Sequence, residues 1–316
     1  VAEAMKFIRA NQDRPFYCYL PVTPPHGWFD IPDTDPAWAL FKDTDWPEDA
    51  KRYAAMVHMV DRQVGELFAL LNQLGLDEQT IVFFSGDNGG ADYFPTPAAP
   101  RGFHSANVDP KTGVSFRGKK GNLYEGGLRI PMLVRWPGKI KPGRVSDLLW
   151  YFPDVLPTLA ELAGVPPPQD IDGISIVPEL LGEAAAGRKQ PQHEFLYWEL
   201  GAETAARMGN WKAIRPRPNQ AWELYDLSQD ISEQNNLAAA NTEVLAKLTA
   251  FAAKAHEPVR EGIFHDTALH EKDRRAKFGK QDEPETRMAA GKAAAKLNVM
   301  PAKGLLPNAD WKIVRV

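Results

Sequence analysis

The sequence predicts an α/β fold: a mixed sheet flanked by helices, followed by a small C-terminal α+β subdomain carrying a short antiparallel sheet. Three observations carry that expectation. Phe16–Leu20 and Thr80–Phe84 are short aromatic and β-branched runs without polar alternation, the pattern of strands covered on both faces. Between them Tyr53, Met56, Val57, Val60, Val64, Leu67, Phe68, Leu71 and Leu74 recur at helical spacing, so strand, helix and strand read as a βαβ unit. Beyond residue 186 the texture changes to short strand-like runs at Phe195–Leu200, Trp211–Ile214 and Trp222–Leu227. The expected domains are therefore 1–185, an α/β core, and 186–316, a subdomain of short sheet, helix and charged tail.

Taken in order, Val1–Ile8 is helix-like, and Arg14-Pro15 breaks it before the first strand, which holds Cys18 as a buried residue and ends at Pro21. Pro24-Pro25-His26-Gly27 forms a loop, and residues 31–47, rich in Asp, Pro and Trp, read as irregular. The long helix closes at Gly75, a residue suited to the left-handed position after a helix end. The second strand runs into Ser85-Gly86-Asp87-Asn88-Gly89-Gly90, residues 91–122 form a long loop, and Arg129–Trp136 is a further short strand. Asp154–Gly164 reads as a helix closed by glycine, residues 183–193 as an exposed connection, and residues 241–255 as a helix before a charged tail reaching about residue 295.

Composition narrows the function classes. The chain has 316 residues, 44% hydrophobic and 25% charged, which is ordinary globular usage. A formal net charge of −4 gives no global field for nucleic acid, so any anion site must be local. One cysteine excludes an intramolecular disulfide framework and multi-cysteine metal sites. No apolar run approaches the roughly 18 residues needed to span a bilayer.

Three segments could carry chemistry. Asp87 and Asn88 set a carboxylate and an amide oxygen side by side at a strand end, where ligands of α/β sheets gather. Both are hard donors suited to Ca²⁺ or Mg²⁺, although calcium takes about 6–8 oxygens and two residues cannot complete that shell. Lys119-Lys120-Gly121-Asn122-Leu123-Tyr124-Glu125-Gly126-Gly127 offers compact point charges for an oxyanion and glycines for close backbone approach. It is not a nucleotide-binding phosphate loop. His26, fixed behind two prolines at a strand end, could aim an imidazole at a ligand or leaving group. Metal ligands, an anion clamp and a proton donor together suit hydrolysis of a charged ester.

The ordered set Pro24-Pro25-His26, Phe83–Gly89, Gly118–Pro131 and Asp154–Leu159 resembles the type I sulfatases of the alkaline-phosphatase-like superfamily, over about residues 1–240. The Lys-Gly-x-x-Tyr-Glu-Gly-Gly segment is the most specific of these. The resemblance implies that Asp87 and Asn88 form part of a calcium site, that Lys120 contacts the sulfate group, and that His26 contacts the sulfate or the leaving oxygen. Asp61, Tyr124, Glu125 and Arg129 also match and read as structural supports. It implies further a sulfated small-molecule or carbohydrate substrate and a periplasmic or extracellular location.

The sequence also departs from the family. Sulfatases use a formylglycine made within Cys/Ser-x-Pro-x-Arg, a signature absent from residues 1–316, and Cys18 lies in the wrong context for it. The paired-aspartate segment that supplies the other calcium ligands is missing too. With Val1 opening directly in a helix, the expectation is the C-terminal portion of a sulfuric ester hydrolase, inactive by itself. Two alternatives stay open: a phosphate or phosphonate ester hydrolase of the same superfamily, disfavoured by Asn88 where those enzymes usually carry histidine, and a non-catalytic anion-binding protein on a decayed core. Tyr93, Phe94, Arg101, His104 and Arg117, with Trp28, Trp38 and Trp46, are candidates to line a substrate pocket.

Overall fold

The computed structural model describes residues 1–94, 108–109 and 112–258, together with the strands at 298–301 and 312–315. The chain divides into two compact units, one spanning Glu78–His256 and the other built on Val1–Asp77 with the C-terminal segment. The charged tail to residue 295, Arg101 and His104 lie outside the described residues.

In the first unit, helix α1 (Ala2–Ala10) turns Phe7 and Ile8 inward and precedes strand β1 (Tyr17–Tyr19). The strand is only half covered: Cys18 is partly buried and Tyr19 is 50% exposed, so the fully buried strand expected from its composition is corrected. Residues 31–47 are not wholly irregular either. They contain helix α2 (Pro36–Phe41), where the Asp35 carboxylate accepts from the Ala37 N–H at 2.9 Å and Pro36 occupies the first turn, where no N–H is needed. Helix α3 (Glu48–Gln73) packs Ala55 and Met56 against Ile31, Ala37 and Trp38. It ends as expected: Gly75 has φ +70°, and the Leu76 N–H returns to the Leu71 carbonyl.

Strand β2 (Val82–Ser85) opens the second unit and pairs antiparallel with β3 (Met132–Arg135), Val82 facing Arg135. Strand β1 instead runs parallel to β9 (Lys312–Arg315), which pairs antiparallel with β8 (Asn298–Pro301). The two strands flanking α3 therefore sit in different ladders. An apolar run specifies that a segment is a strand but not which neighbour supplies its hydrogen bonds.

Between β2 and β3 lies a four-residue helix, α4 (Glu125–Leu128), and after β3 come α5 (Val155–Leu162), α6 (Val177–Leu181) and α7 (Glu183–Ala186). The connection at 183–193 is less exposed than expected at its end. The His193 side chain is buried, its Nε2 2.9 Å from Asp154 Oδ1, because the fully buried Asp154 carboxylate also accepts the Tyr151 and Ile174 N–H groups and needs enclosed partners.

A four-stranded antiparallel sheet follows: β4 (Leu196–Leu200), β5 (Glu203–Met208), β6 (Trp211–Arg215) and β7 (Glu223–Asp226), in sequence order. Helix α8 (Thr242–Ala255) covers one face, where Ala206, Ala213 and Leu224 meet Leu248 and Ala252. The opposite face presents Ala205, Ile214 and Tyr225 to Leu123 and Tyr124. Strand alternation thus gives one side of the sheet to a helix and the other to the glycine-rich segment that carries Lys120.

Candidate active-site loop and the sheet that holds it

The segment from Arg117 to Arg129 is a closed loop. The Gly126 N–H donates to the Arg117 carbonyl at 2.7 Å, and Gly118 and Gly121 take φ values of +75° and +89°, which non-glycine residues rarely adopt. A Cβ at Gly126 would collide with the carbonyls of Gly118 and Arg117, and one at Gly127 with those of Asn122 and Lys119. The glycine pair therefore lets the loop fold onto its own start.

This loop is docked against the end of β2. The Lys120 N–H donates to the Gly90 carbonyl at 2.8 Å and the Gly89 N–H to the Gly127 carbonyl at 2.9 Å. A Cβ at Gly89 would strike Gly126, so the two chain segments touch backbone to backbone. The result brings Asp87-Asn88 and Lys120, 32 and more residues apart in sequence, to one place. His26 belongs to the other unit, in a loop with cis peptides at Pro24-Pro25 and Gly27-Trp28, its Nδ1 2.7 Å from the Gly27 carbonyl oxygen.

Asn88 Nδ2 donates to the Gly89 carbonyl at 2.8 Å, which fixes the amide and leaves its Oδ1 as a donor of lone pairs. With the Asp87 carboxylate this makes two hard oxygens at the strand end. They fit part of a calcium shell, and no group of three or more His, Cys, Asp or Glu side chains suited to a metal occurs among the described residues. Beside the loop an open cleft of about 380 Å³ is lined by Asp92, Arg117, Lys119, Asn122 and Gln234 among others, with Lys119 Nζ 3.5 Å from Asp92. Of the proposed lining residues, Arg117 takes part; Trp28 is 80% exposed, whereas Trp38 is buried in the core against α3.

Acidic side chains from the antiparallel sheet hold the loop from beneath. Glu203 accepts the Leu123 N–H at 2.7 Å, and Glu223 accepts the hydroxyls of Tyr124 at 2.9 Å and Tyr225 at 2.7 Å. The Arg117 guanidinium stacks 4.0 Å over the Tyr124 ring and donates to the Tyr225 hydroxyl. Burial, reinforced by hydrogen bonding to Glu223, raises both tyrosines well above the ordinary phenol range, so they serve as neutral donors.

Deepest is a charged cluster around Glu125. Lys212 on β6, wholly buried, lies 2.9 Å from Glu125 Oε1 and 2.8 Å from Glu233 Oε1. Arg129 Nε reaches Glu125 Oε2 at 2.6 Å, Arg207 approaches the same oxygen at 3.6 Å, and the Glu125 N–H donates to Glu233 Oε2 at 2.7 Å. Burial alone would favour the protonated acid, but Lys212 above all, then Arg129 and Arg207, outweigh it and hold the Glu125 carboxyl at about 2. Glu233 is shifted the other way: burial pushes it up, Lys212 offsets only part of that push, and Glu125 adds to it. Tyr124, Glu125 and Arg129 accordingly act as supports, as their match to the motif suggested. Lys212, Glu203, Glu223 and Glu233 were not singled out by the sequence, although one signal existed. Lys212 shares a strand face with the core residue Ile214, and a lysine on such a face requires a buried anionic partner.

These features coincide with what comparison with known proteins finds. The sulfatase family profile matches residues 1–165, and the profile for the C-terminal region of N-sulphoglucosamine sulphohydrolase matches residues 118–256.

The chain belongs to the sulfatase family. It is 37% identical over 228 residues to mouse steryl-sulfatase, covering 69% of this chain and 33% of that protein. It is 31% identical over 246 residues to dog N-acetylgalactosamine-6-sulfatase, covering 76% and 42%. Among solved structures, that of Ps i-CgsB in complex with k-i-k-neocarrahexaose aligns with a TM-score of 0.65 and 26% identity, over 90% of this chain and 59% of that one. This sulfatase-family chain thus spans well under half the length of those two curated relatives. The second profile begins inside the Lys120 loop and ends with α8, so the loop and the sheet beneath it fall within one family region.

Proposed function

We propose that the full-length protein hydrolyses a sulfate ester of a sugar or an aryl alcohol. The observation that supports this best is the backbone docking of the Lys120 loop on the strand end carrying Asp87 and Asn88, through Lys120 N–H to Gly90 and Gly89 N–H to Gly127. A compact cation and two hard-oxygen donors held together suit a tetrahedral sulfate ester anion, with a proton donor needed where charge gathers on the departing oxygen as the S–O bond breaks.

In this reading Asp87 and Asn88 would hold a calcium ion as two of its oxygen ligands. Bound there, calcium would supply Lewis-acid polarisation of the sulfate oxygens, and a formylglycine of the kind the family uses would supply the attacking hydroxyl. Lys120 neutralises charge on a sulfate oxygen, and His26, assigned by its match to the family's Pro-Pro-His segment, gives a proton to the departing alcohol oxygen. In the cleft beside the loop, Asp92, Asn122 and Gln234 supply carboxylate and amide partners of the kind that hydrogen-bond sugar hydroxyls, which favours a saccharide substrate. We place the protein in the periplasm or outside the cell on the same resemblance. Among the described residues no helix is long and apolar enough to cross a membrane.

The test is turnover by the full-length protein of sulfated monosaccharides and p-nitrophenyl sulfate against the matching phosphate monoesters and phosphonates. Preferential, calcium-dependent release of sulfate is the expected result. Preferential phosphate or phosphonate hydrolysis would establish the sister activity instead, and sulfate binding without turnover would establish an anion-binding protein.

A further inference from the structure

Glu233 lies seven residues beyond the end of β7, outside the sheet, yet it touches both ends of the Lys120 loop. Its carbonyl accepts from Arg117 Nη1 at 3.0 Å, at the start of the loop. Its carboxylate accepts the Glu125 N–H at 2.7 Å, at the end. Lys120 sits between these two anchor points. The same carboxylate is 2.8 Å from Lys212, which in turn grips the Glu125 side chain, so one residue ties both loop ends to the centre of the antiparallel sheet. Glu233 itself holds φ +54°, a backbone conformation that non-glycine residues adopt only where surrounding contacts enforce it. The neighbouring Ser232 and Asp230 pin the turn, Ser232 to the Ser115 carbonyl at 2.8 Å and Asp230 to the Gln234 N–H at 2.8 Å.

We propose that Glu233 is a positioning residue that clamps the Arg117–Glu125 loop and thereby sets where Lys120 meets the sulfate group, making the C-terminal sheet part of the active-site machinery. This rests on the reading of Lys120 as the sulfate-facing lysine. The physical reason is geometric: a loop closed at its neck by Gly126 N–H to Arg117 can still rock as a unit unless both sides of the neck are fixed to something rigid. A displacement of about 1 Å at a charge-stabilising group can cost about 10²-fold in rate.

The experiment compares Glu233→Ala and Glu233→Gln in the full-length protein by two readouts. Amide hydrogen exchange over residues 117–127 reads loop order without any need for activity, and kcat/KM on p-nitrophenyl sulfate reads Lys120 placement. Glu233→Ala should speed exchange in 117–127 at least tenfold relative to α5 and lower kcat/KM at least tenfold. Glu233→Gln keeps an acceptor for the Glu125 N–H and should restore both to within threefold of the wild type. Unchanged loop exchange in folded Glu233→Ala, or acceleration equal across α5, α8 and the loop, overturns the clamp. Should Glu233→Ala fail to fold, Arg117→Lys weakens the other anchor and must accelerate the same segment, and normal exchange there overturns the proposal equally. If the wild type releases no sulfate from any ester, the functional reading fails while the exchange comparison still decides the clamp.

Discussion

Two ion-pair clusters in this chain use similar side chains in opposite surroundings. Lys212 bridges Glu125 and Glu233 with all three side chains no more than 2% exposed, whereas Arg52 on α3 meets Glu48, Asp30 and Asp33, whose side chains are 60 to 85% exposed. In water a pair of unit charges 4 Å apart gains about 1 kcal/mol, and several times more where the surroundings are less polarisable. The buried cluster also carries the larger desolvation cost, so its value lies in what happens when one member leaves. The exposed cluster tethers a helix face that water would solvate anyway. The buried one dictates a backbone arrangement, because Glu125 on the loop must reach Lys212 and Arg207 on the sheet.

That contrast predicts a ranking. Lys212→Met should be the most damaging change, costing about 3–5 kcal/mol by taking from buried Glu233 its cationic partner and from Glu125 the strongest of its three. Urea unfolding should show a large drop in midpoint without a change in slope, and a loss below 1 kcal/mol would remove the distinction between the clusters.

Acid titration sharpens the comparison next. The Glu125 carboxyl is depressed from its ordinary value of 4.5 to about 2, so the unfolded state binds the proton more readily. Its contribution is complete above about pH 4.5 and is lost as pH falls toward 2, a change on the order of 3 kcal/mol. Glu125→Gln should be less stable at neutral pH and flatter through that window. Glu233, shifted upward, has the opposite sign: the folded state holds the proton more tightly, and stability declines as pH rises from 4.5 toward its folded value. Glu233→Gln should remove that decline. The smallest effect belongs to Arg52→Met, expected within about 1 kcal/mol and fading with added salt, even though it also removes the guanidinium that lies 3.9 Å over the Trp38 ring. A larger, salt-independent cost would mean that the exposed cluster is structural as well.

Much of the scaffold was legible in the chain. Helical spacing located α3 from Tyr53 on but missed its first five residues, Gly75 marked its end, and α8 and three of the four strands of the antiparallel sheet were visible as short runs. Strand β5 was missed because Glu203–Met208 is alanine-rich and looks like no strand, since its small side chains fit beneath α8 on one face and the loop on the other. Helix α2 was missed although Asp35-Pro36 is a good helix start, because proline and tryptophan density suggested a loop. The candidate site was legible as motifs, Asp87-Asn88 and the Lys120 loop, whose residue types and glycines announce close backbone approach. What holds them was not. Glu203, Glu223 and Glu233 are ordinary surface residues by composition, and their partnership with the loop depends on pairing between segments 80 to 116 residues apart.

Adjacent lysines offer the most direct test of the central claim, that this loop exists to present Lys120. Lys119 is half exposed and pairs with Asp92 at 3.5 Å, while the Lys120 backbone is the point at which the loop docks on the strand end carrying Asp87 and Asn88. The kcat/KM of the full-length protein for a sulfate ester should fall about 10²- to 10³-fold in Lys120→Ala, the usual loss for one charge-stabilising donor. Lys119→Ala should stay within a few-fold of the wild type. Equal losses in the two variants, or full activity in Lys120→Ala, would contradict the account.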